Sequence, residues 1–366
     1  MTFLFYSWIF FVVCQFLFWG ILFNKQLVFT KQVIKKELPS VSIIICARNE
    51  VSNLQKYLPS ILEQDYPDYE VWVIDDASTD RTREVLTGLA TKHSNLHIHS
   101  IATKASKGKK AALQKGIELA QYEWLLLTDA DCKPSSNQWI KSMQAATTPD
   151  TQIVLGYGPN YSHPVLVSQW SSFETSYTAI QYLSLAAWGS PYMGVGRNLM
   201  YKKELFLQNN GFQKHQHLAS GDDDLFVNKV ANSINTNICI SPKSFVYSEP
   251  KQTWGALYQQ KTRHYSTATS YRLVHQVLLI LLSLSHFGYI LLSIALLVLG
   301  CYPLYILGTY LLRLLLLYIV WNNWLNIFNN KKLLKLLWFF DIFIVLYYIV
   351  MAPALFRSNP SINWKE

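Results

Sequence analysis

The sequence predicts an α/β domain set between membrane-spanning helices, and three observations carry that expectation. Short apolar runs alternate with amphipathic stretches between residues 41 and 129, the pattern of a parallel sheet with helices on both faces. Four apolar runs have the length needed to cross a bilayer. One strand-like run, residues 124–128, ends directly in Asp129-Ala130-Asp131, at the edge where open α/β sheets bind ligands.

The apolar runs are residues 3–23, 276–299, 302–321 and 336–356; Arg313 is the one charge in the third and Asp341 the one charge in the fourth. The first is too long for a cleaved signal peptide, has no basic flank before it and no small-residue cleavage site after it, so an uncleaved anchor is expected. Lys25, Lys31, Lys35 and Lys36 follow it, Arg272 precedes the second run, and Lys331, Lys332 and Lys335 separate the third from the fourth. By the positive-inside rule these segments face the cytoplasm. A multi-pass cell-membrane protein is therefore expected, with its large domain cytoplasmic and the second and third spans forming a hairpin at Cys301-Tyr302-Pro303. The fourth span puts the C-terminus outside, unless the last segment, with Arg357 and Lys365, lies along the interface. The expected organisation is an anchor over 1–24, a domain over 38–250, an amphipathic interfacial segment over 251–275 and membrane helices over 276–357.

The formal charge of +9 lies partly beside the spans, where it meets anionic headgroups. No basic stripe is interleaved with aromatics in a nucleic-acid reader motif, so a nucleic-acid partner is not expected. Five scattered cysteines without C-x-x-C spacing read as reduced thiols rather than a zinc site or a disulfide framework.

Within the domain, residues 41–46 read as a buried strand, followed by a helix with apolar positions Leu54, Leu58, Ile61 and Leu62 that ends near Asp65-Tyr66-Pro67. Residues 71–74 form a second strand leading through residues 75–80 into a helix near 82–91. Residues 96–101 make a third strand, a Lys- and Gly-containing loop over 104–110 opens a helix to about 120, and residues 124–128 make the fourth. Residues 153–157 suit another strand. Residues 165–190 are apolar and weakly helical, either core or an interfacial helix. Residues 253–275 read as one helix whose aromatic and basic residues suit a membrane interface.

Each strand end carries a polar cluster: Ala47-Arg48-Asn49-Glu50, then Asp75-Asp76 with Ser78-Thr79-Asp80, then Asp129-Ala130-Asp131. Asp129 and Asp131 offer hard oxygen ligands to Mg²⁺ or Mn²⁺, ions that commonly share their coordination with substrate phosphates. Asp75 and Asp76 suit hydrogen bonds from a base imide or ribose hydroxyls, while Thr79 or Asp80 fits an ordinary helix cap. Lys107-Gly108-Lys109 suggests a phosphate loop without the Walker spacing, and no G-x-G-x-x-G follows the first strand, which argues against a P-loop ATPase and a dinucleotide oxidoreductase. Further along stand Gly221-Asp222-Asp223-Asp224-Leu225 and Gln260-Lys261-Thr262-Arg263-His264.

This ordered set, over roughly residues 41–265, resembles the family 2 inverting glycosyltransferases with a GT-A fold, a Rossmann-like mixed sheet. The resemblance implies a uridine-nucleotide loop at Asp75 and Asp76, a helix opened by Lys109, a metal–diphosphate site at Asp129 and Asp131, and donor or acceptor contacts at Ala47, Arg48, Asn49, Glu50, Arg197, Asn198, Gln260, Arg263 and His264. Turns and core packing compete for Arg197 and Asn198. The family's acidic pair is Gly221-Asp222 here, so Asp222 takes the general-base position, with Asp223 as the alternative and Asp224 as a cap or helix-entry residue. His264 replaces the family's stacking Trp, and an imidazole can change charge near neutral pH. The implied activity is metal-dependent, inverting transfer from a nucleotide diphosphate sugar to a lipid-linked or glycan acceptor at the cytoplasmic membrane face. A processive polysaccharide synthase, a non-catalytic nucleotide-sugar-binding membrane protein and, less well supported, a transporter are the rival readings.

Overall fold

The computed structural model describes residues 1–25, 38–103, 109–213, 216, 218 and 220–355. Lys31, Lys35, Lys36, Lys107, Gly108, Arg357 and Lys365, which entered the sequence-based expectations, lie outside the described residues. The chain opens with α1 (Thr2–Leu17), whose end widens into a π-turn, Phe18–Leu22. The domain follows as β1 (Val41–Ala47), α2 (Val51–Leu62), β2 (Tyr69–Asp76), α3 (Thr82–Ala90), β3 (Leu96–Ile101), α4 (Lys110–Leu119), β4 (Trp124–Asp129) and β5 (Cys132–Pro134). Then come α5 (Trp139–Gln144), β6 (Ile153–Gly156), α6 (Leu166–Ala187), β7 (Leu199–Lys202), α7 (Lys203–Gln208), α8 (Asp224–Val230), β8 (Thr236–Cys239), β9 (Val246–Ser248) and α9 (Trp254–Tyr265). The chain closes with α10 (Leu273–Val298), α11 (Pro303–Ile327) and α12 (Leu337–Leu355).

The main sheet has the order β3-β2-β1-β4-β7-β6-β8. β3, β2, β1 and β4 are parallel; β7 runs antiparallel to both β4 and β6, and β6 is parallel to β8. The sheet is therefore mixed through one reversed strand. β1 is buried along its whole length, which is why it reads as an unbroken apolar run. Ile43 and Ile45 face the core beneath α2, whereas Ile44 and Cys46 face the core shared with α4, as the two-residue period of a strand requires. A Cβ on Gly116 of α4 would come within 2.6 Å of Ile44, so the helix lies this close to the sheet because that position has no side chain. Register sets Ala47 beside Asp75 and Cys46 beside Asp129, so three polar strand ends meet at one sheet edge.

α6 is buried on nearly all sides and is core, the first of its two expected alternatives. Phe173 stacks on Trp321 of α11 at 4.6 Å, Trp170 packs against Phe340, Phe343 and Tyr347 of α12, and the Tyr182 hydroxyl donates to the Gly156 carbonyl at 2.7 Å. One hydrophobic core thus continues from the sheet into the apolar helices. The expected single helix over 253–275 is broken: α9 stops at Tyr265 and α10 starts at Leu273, three positions before the expected span. The intervening Ser- and Thr-rich turn diverts its hydroxyls to other partners, including Thr267 to the His264 carbonyl at 2.8 Å.

Among the described residues, four helices are long and apolar enough to cross a membrane: Thr2–Leu22, Leu273–Val298, Pro303–Ile327 and Lys331–Ala354. α1 and α10 pair antiparallel, with Trp8 donating to Ser293 at 2.8 Å and Gln15 to Ser285 at 2.9 Å. Arg313 and Asp341, each the lone charge of its apolar run, form a bidentate pair at 2.6 and 3.0 Å; Gln15 accepts two further guanidinium bonds at 3.1 and 2.8 Å. The pair therefore ties α1, α11 and α12 together, and His286 of α10, whose Nε2 lies 3.3 Å from Asp341 Oδ1, adds the fourth apolar helix to the cluster. Arg313→Met should destabilise the detergent-solubilised protein by about 3–5 kcal/mol, by leaving Asp341 buried without its bidentate partner and with only His286 beside it. Arg313→Met/Asp341→Leu should recover most of that loss. Thermal unfolding of both variants tests the ordering; a double variant that melts no higher than the single one contradicts it.

Candidate active site

A cavity of about 1180 Å³ lies at the carboxyl end of the parallel strands. β1 and β4 deliver Cys46, Asp129 and Asp131 to it, the start of α4 delivers Lys109, the start of α8 delivers Asp222, Asp223 and Asp224, and α9 delivers Gln260, Arg263 and His264. Cys46 and His264, more than 200 positions apart in the chain, therefore share one space. Glu50 and Arg197 also line it. Ala47, Arg48, Asn49, Asp75 and Asp76 do not; they form an adjoining knot at the ends of β1 and β2. There Arg48 Nη1 donates to the Asp76 carbonyl at 3.2 Å, the Ser78 amide to Asp75 Oδ1 at 3.1 Å, and the Thr79 amide to Asn49 Oδ1 at 2.9 Å. Asn49 and Ala77 hold left-handed backbone, φ 55° each, so two sharp turns face one another across the knot. Asp80 accepts from the Thr82 amide at 3.0 Å at the entry to α3.

Lys109 Nζ sits 2.8 Å from Asp129 Oδ1 and 3.2 Å from Asp222 Oδ2, joining the end of β4 to the approach to α8. Burial alone would lower its pKa, but Asp129, Asp222 and Asp223 outweigh burial and hold the ammonium well above its ordinary value. Burial likewise raises Asp129, yet Lys109, Arg197 and Arg263 bring it below the usual carboxylate value. Asp131 is raised, by burial first and then by Asp129. Asp129, Asp131 and Cys132 bring one ligand atom each to within 4.8 Å of one another. The two carboxylates fit a hard divalent cation. The Cys132 thiol, pushed well above its ordinary value by burial and then by both carboxylates, stays protonated and is a poor partner for such an ion.

The three consecutive acids separate by geometry. Gly221, at φ +96°, turns the chain into α8. Asp223 is the cap: its carboxylate accepts from the Asp224 amide at 2.8 Å and from the Gly196 amide at 2.5 Å. Of the two roles expected for Asp224, cap or helix entry, the second holds. Asp224 is the first residue of α8, and its carboxylate accepts from Thr267 at 2.5 Å and Tyr271 at 2.7 Å, in the turn just before α10. Asp222 is 5% exposed and its Oδ2 makes no hydrogen bond. Lys110 donates to the carbonyls of Leu218 and Ser220 at 2.9 and 2.6 Å, holding the approach to this motif.

Of the two readings for Asn198, core packing holds: it is 0% exposed, and its amide is used by Trp139, Tyr157 and Ser244. One further expectation is corrected. His264 does not change charge near neutrality: burial, then Lys261 and Arg263, push it well below its ordinary value, so it is neutral. One functional pair escaped the sequence reading. Lys261 of α9 forms a buried ion pair with Glu174 of α6. Glu174 is the sole charge in residues 165–190, and a lone acid in an apolar helix was the available signal.

Residues 42–208 match the family model described as Glycosyl transferase family 2. The chain carries a family 2 glycosyltransferase domain. A β-monoglucosyldiacylglycerol synthase of Nostoc is 35% identical over 120 residues, 32% of this chain and 25% of that protein. A poly-β-1,6-N-acetyl-D-glucosamine synthase of Staphylococcus epidermidis is 29% identical over 109 residues, 30% of this chain and 25% of that one. The chain thus spans about a quarter of the length of these relatives. The mannosyltransferase PcManGT of Pyrobaculum calidifontis, solved with GDP-Man and Mn²⁺, superposes with a TM-score of 0.62 at 18% identity over 96% of both chains. The fold is GT-A, with one N-terminal and three C-terminal candidate membrane helices around the glycosyltransferase domain.

Titration of Asp223 gives a stability test. Burial, then Asp222 and Asp224, raise its carboxyl from 3.8 to about 7. Across that window the native state holds a proton that the unfolded chain has released, so stability is full below the lower value and declines as pH rises through the upper one. Asp223→Asn should flatten this decline in melting temperature between about pH 4 and about pH 7; an unchanged slope would place the titration elsewhere.

Proposed function

We propose that the protein transfers single sugars from a nucleoside-diphosphate sugar to an acceptor hydroxyl at the cytoplasmic membrane face, with inversion. The observation that carries this reading is the one cavity that joins Asp129, Asp131, Asp222 and Arg263 to the walls of α10 and α12. The polar knot at Asp75 and Asp76 suits the base and ribose, in line with a UDP-linked donor. Asp129 and Asp131 would hold Mg²⁺ or Mn²⁺, which supplies charge neutralisation for the diphosphate when bound. The structural relative solved with GDP-Man and Mn²⁺ is consistent with this assignment.

Asp222 accepts the proton of the attacking hydroxyl. The acceptor oxygen bonds to the anomeric carbon as the bond to the diphosphate oxygen breaks, and in-line displacement inverts that carbon. Arg197, Arg263 and Lys251 line the cavity where negative charge grows on the leaving group. Lys109, clasped between Asp129 and Asp222, joins the two carboxylates and sets the distance between donor site and base. A processive synthase is the second reading, favoured by the poly-N-acetylglucosamine relative. A neutral imidazole at position 264, in place of a large stacking ring, supports single transfer.

Purified protein incubated with lipid extract, Mn²⁺ and a panel of nucleotide sugars should yield a glycosylated product by mass spectrometry. Asp222→Asn should lower single-turnover transfer by about 10²-fold or more with donor affinity kept, and Asp131→Ala should abolish Mn²⁺-dependent donor binding in calorimetry. A full-rate Asp222→Asn would move the base to another carboxylate. For topology, a cysteine placed beside Lys332 should react with an impermeant thiol reagent only after cells are permeabilised. Labelling of intact cells would put the domain on the other face.

A further inference from the structure

The cavity has two ends of opposite character. At the sheet end its cations serve the metal-motif carboxylates: Lys109, Arg197 and Arg263 act on Asp129, and Lys251 and Arg197 on Asp131. At the other end the sheet gives way to apolar side chains, Leu279, Ile280, Leu284 and Phe287 from α10 and Ile344 and Met351 from α12. Ile280, Leu284 and Phe287 recur at helical spacing and form one stripe. Phe287 follows Leu273 by 14 positions, about 21 Å of helix at roughly 1.5 Å per residue. A sugar gains nothing at that depth, whereas a hydrocarbon chain buries its length there. Ile280, Leu284 and Ile349 are 61%, 50% and 54% exposed, so this end is open.

Between the two ends stands the pair missed by sequence reading. The side chains of Lys261 and Glu174 are 11% and 8% exposed, and each neutralises the other. Among the described residues, the other basic groups lining the cavity are those grouped at the sheet end and the neutral His264. A phosphate arriving along α10 and α12 would therefore meet, in Lys261, a cation already paired with Glu174. A hydroxyl carries no charge to be paired. It also needs what the cavity offers, a carboxylate to take its proton, whereas an ionised phosphate oxygen does not.

We propose that the acceptor is an uncharged lipid alcohol whose chain lies along α10 and α12, and that the Glu174–Lys261 pair discriminates against phosphorylated lipids. This rests on the glycosyl-transfer reading. In the step itself the alcohol proton passes to Asp222, the oxygen–anomeric carbon bond forms, and the electron pair of the broken bond leaves with the nucleoside diphosphate. The Asp222 proton then returns to solvent.

The test uses the full chain in phosphatidylcholine vesicles doped with oleyl alcohol, a diacylglycerol or oleyl phosphate, supplied with Mn²⁺ and the donor that calorimetry shows to bind. Sugar should appear on an alcohol at least tenfold faster than on oleyl phosphate. Glu174→Gln, which leaves the Lys261 charge unopposed, should shift that ratio at least tenfold toward the phosphate. Glu174→Gln/Lys261→Met, which restores neutrality, should keep the alcohol preference and covers the case of a single variant that does not fold. Leu284→Arg should slow transfer to oleyl alcohol while donor binding stays unchanged. Preferential transfer to oleyl phosphate, transfer to none of the three lipids with donor bound, or a ratio indifferent to Glu174→Gln in folded protein overturns the inference and leaves donor chemistry standing. Failure of every nucleotide sugar to bind would instead remove the glycosyl-transfer reading itself.

Discussion

Lys109 is the interaction on which the site depends. Five aspartates, Asp129, Asp131, Asp222, Asp223 and Asp224, line one cavity. Without a cation among them their mutual repulsion in a poorly solvated space would drive the loops apart. Lys109 reaches both the end of β4 and the approach to α8, so one ammonium joins the donor-side and base-side acids. Asp223 spends its carboxylate on the Gly196 and Asp224 amides, and Asp224 spends its own on Thr267 and Tyr271. Asp222 differs from both: among the described residues its Oδ2 makes no hydrogen bond and meets only the Lys109 ammonium, at 3.2 Å.

The same residues couple the site to the membrane helices. Asp224 is held by the turn that leads into α10, and α6 carries both Glu174 and the aromatic joint with α11 and α12. A shift of the helices relative to the sheet would therefore disturb the acids and the acceptor end together. The Arg313–Asp341 pair with Gln15 restrains such a shift, because breaking it exposes a charge to apolar surroundings.

Charge is sorted along the cavity rather than spread through it. Four cations act on the Asp129–Asp131 end, where a diphosphate would bring negative charge; the remaining cavity-lining lysine, Lys261, is neutralised by Glu174. A donor rich in phosphate and an acceptor with none are the ligands that this gradient suits.

The sequence by itself determined the elements whose cause is local. The strands at β1, β2 and β4 and the helices α2 and α3 were legible because burial imposes periods of two and of 3.6 on nearby residues. Asp129 and Asp131 were legible because they directly follow such a strand, and the four apolar helices because their length and composition are continuous in the chain. Tertiary structure alone decided what depends on distant partners. It reversed β7, buried Asn198 beneath the site, ended α9 at Tyr265, and made Asp223 rather than Asp224 the cap. It also joined Glu174 to Lys261 across 87 positions of chain. None of these has a local signature, since a hydrogen bond or an ion pair is set by where a second segment comes to rest, and periodicity carries no information about that place.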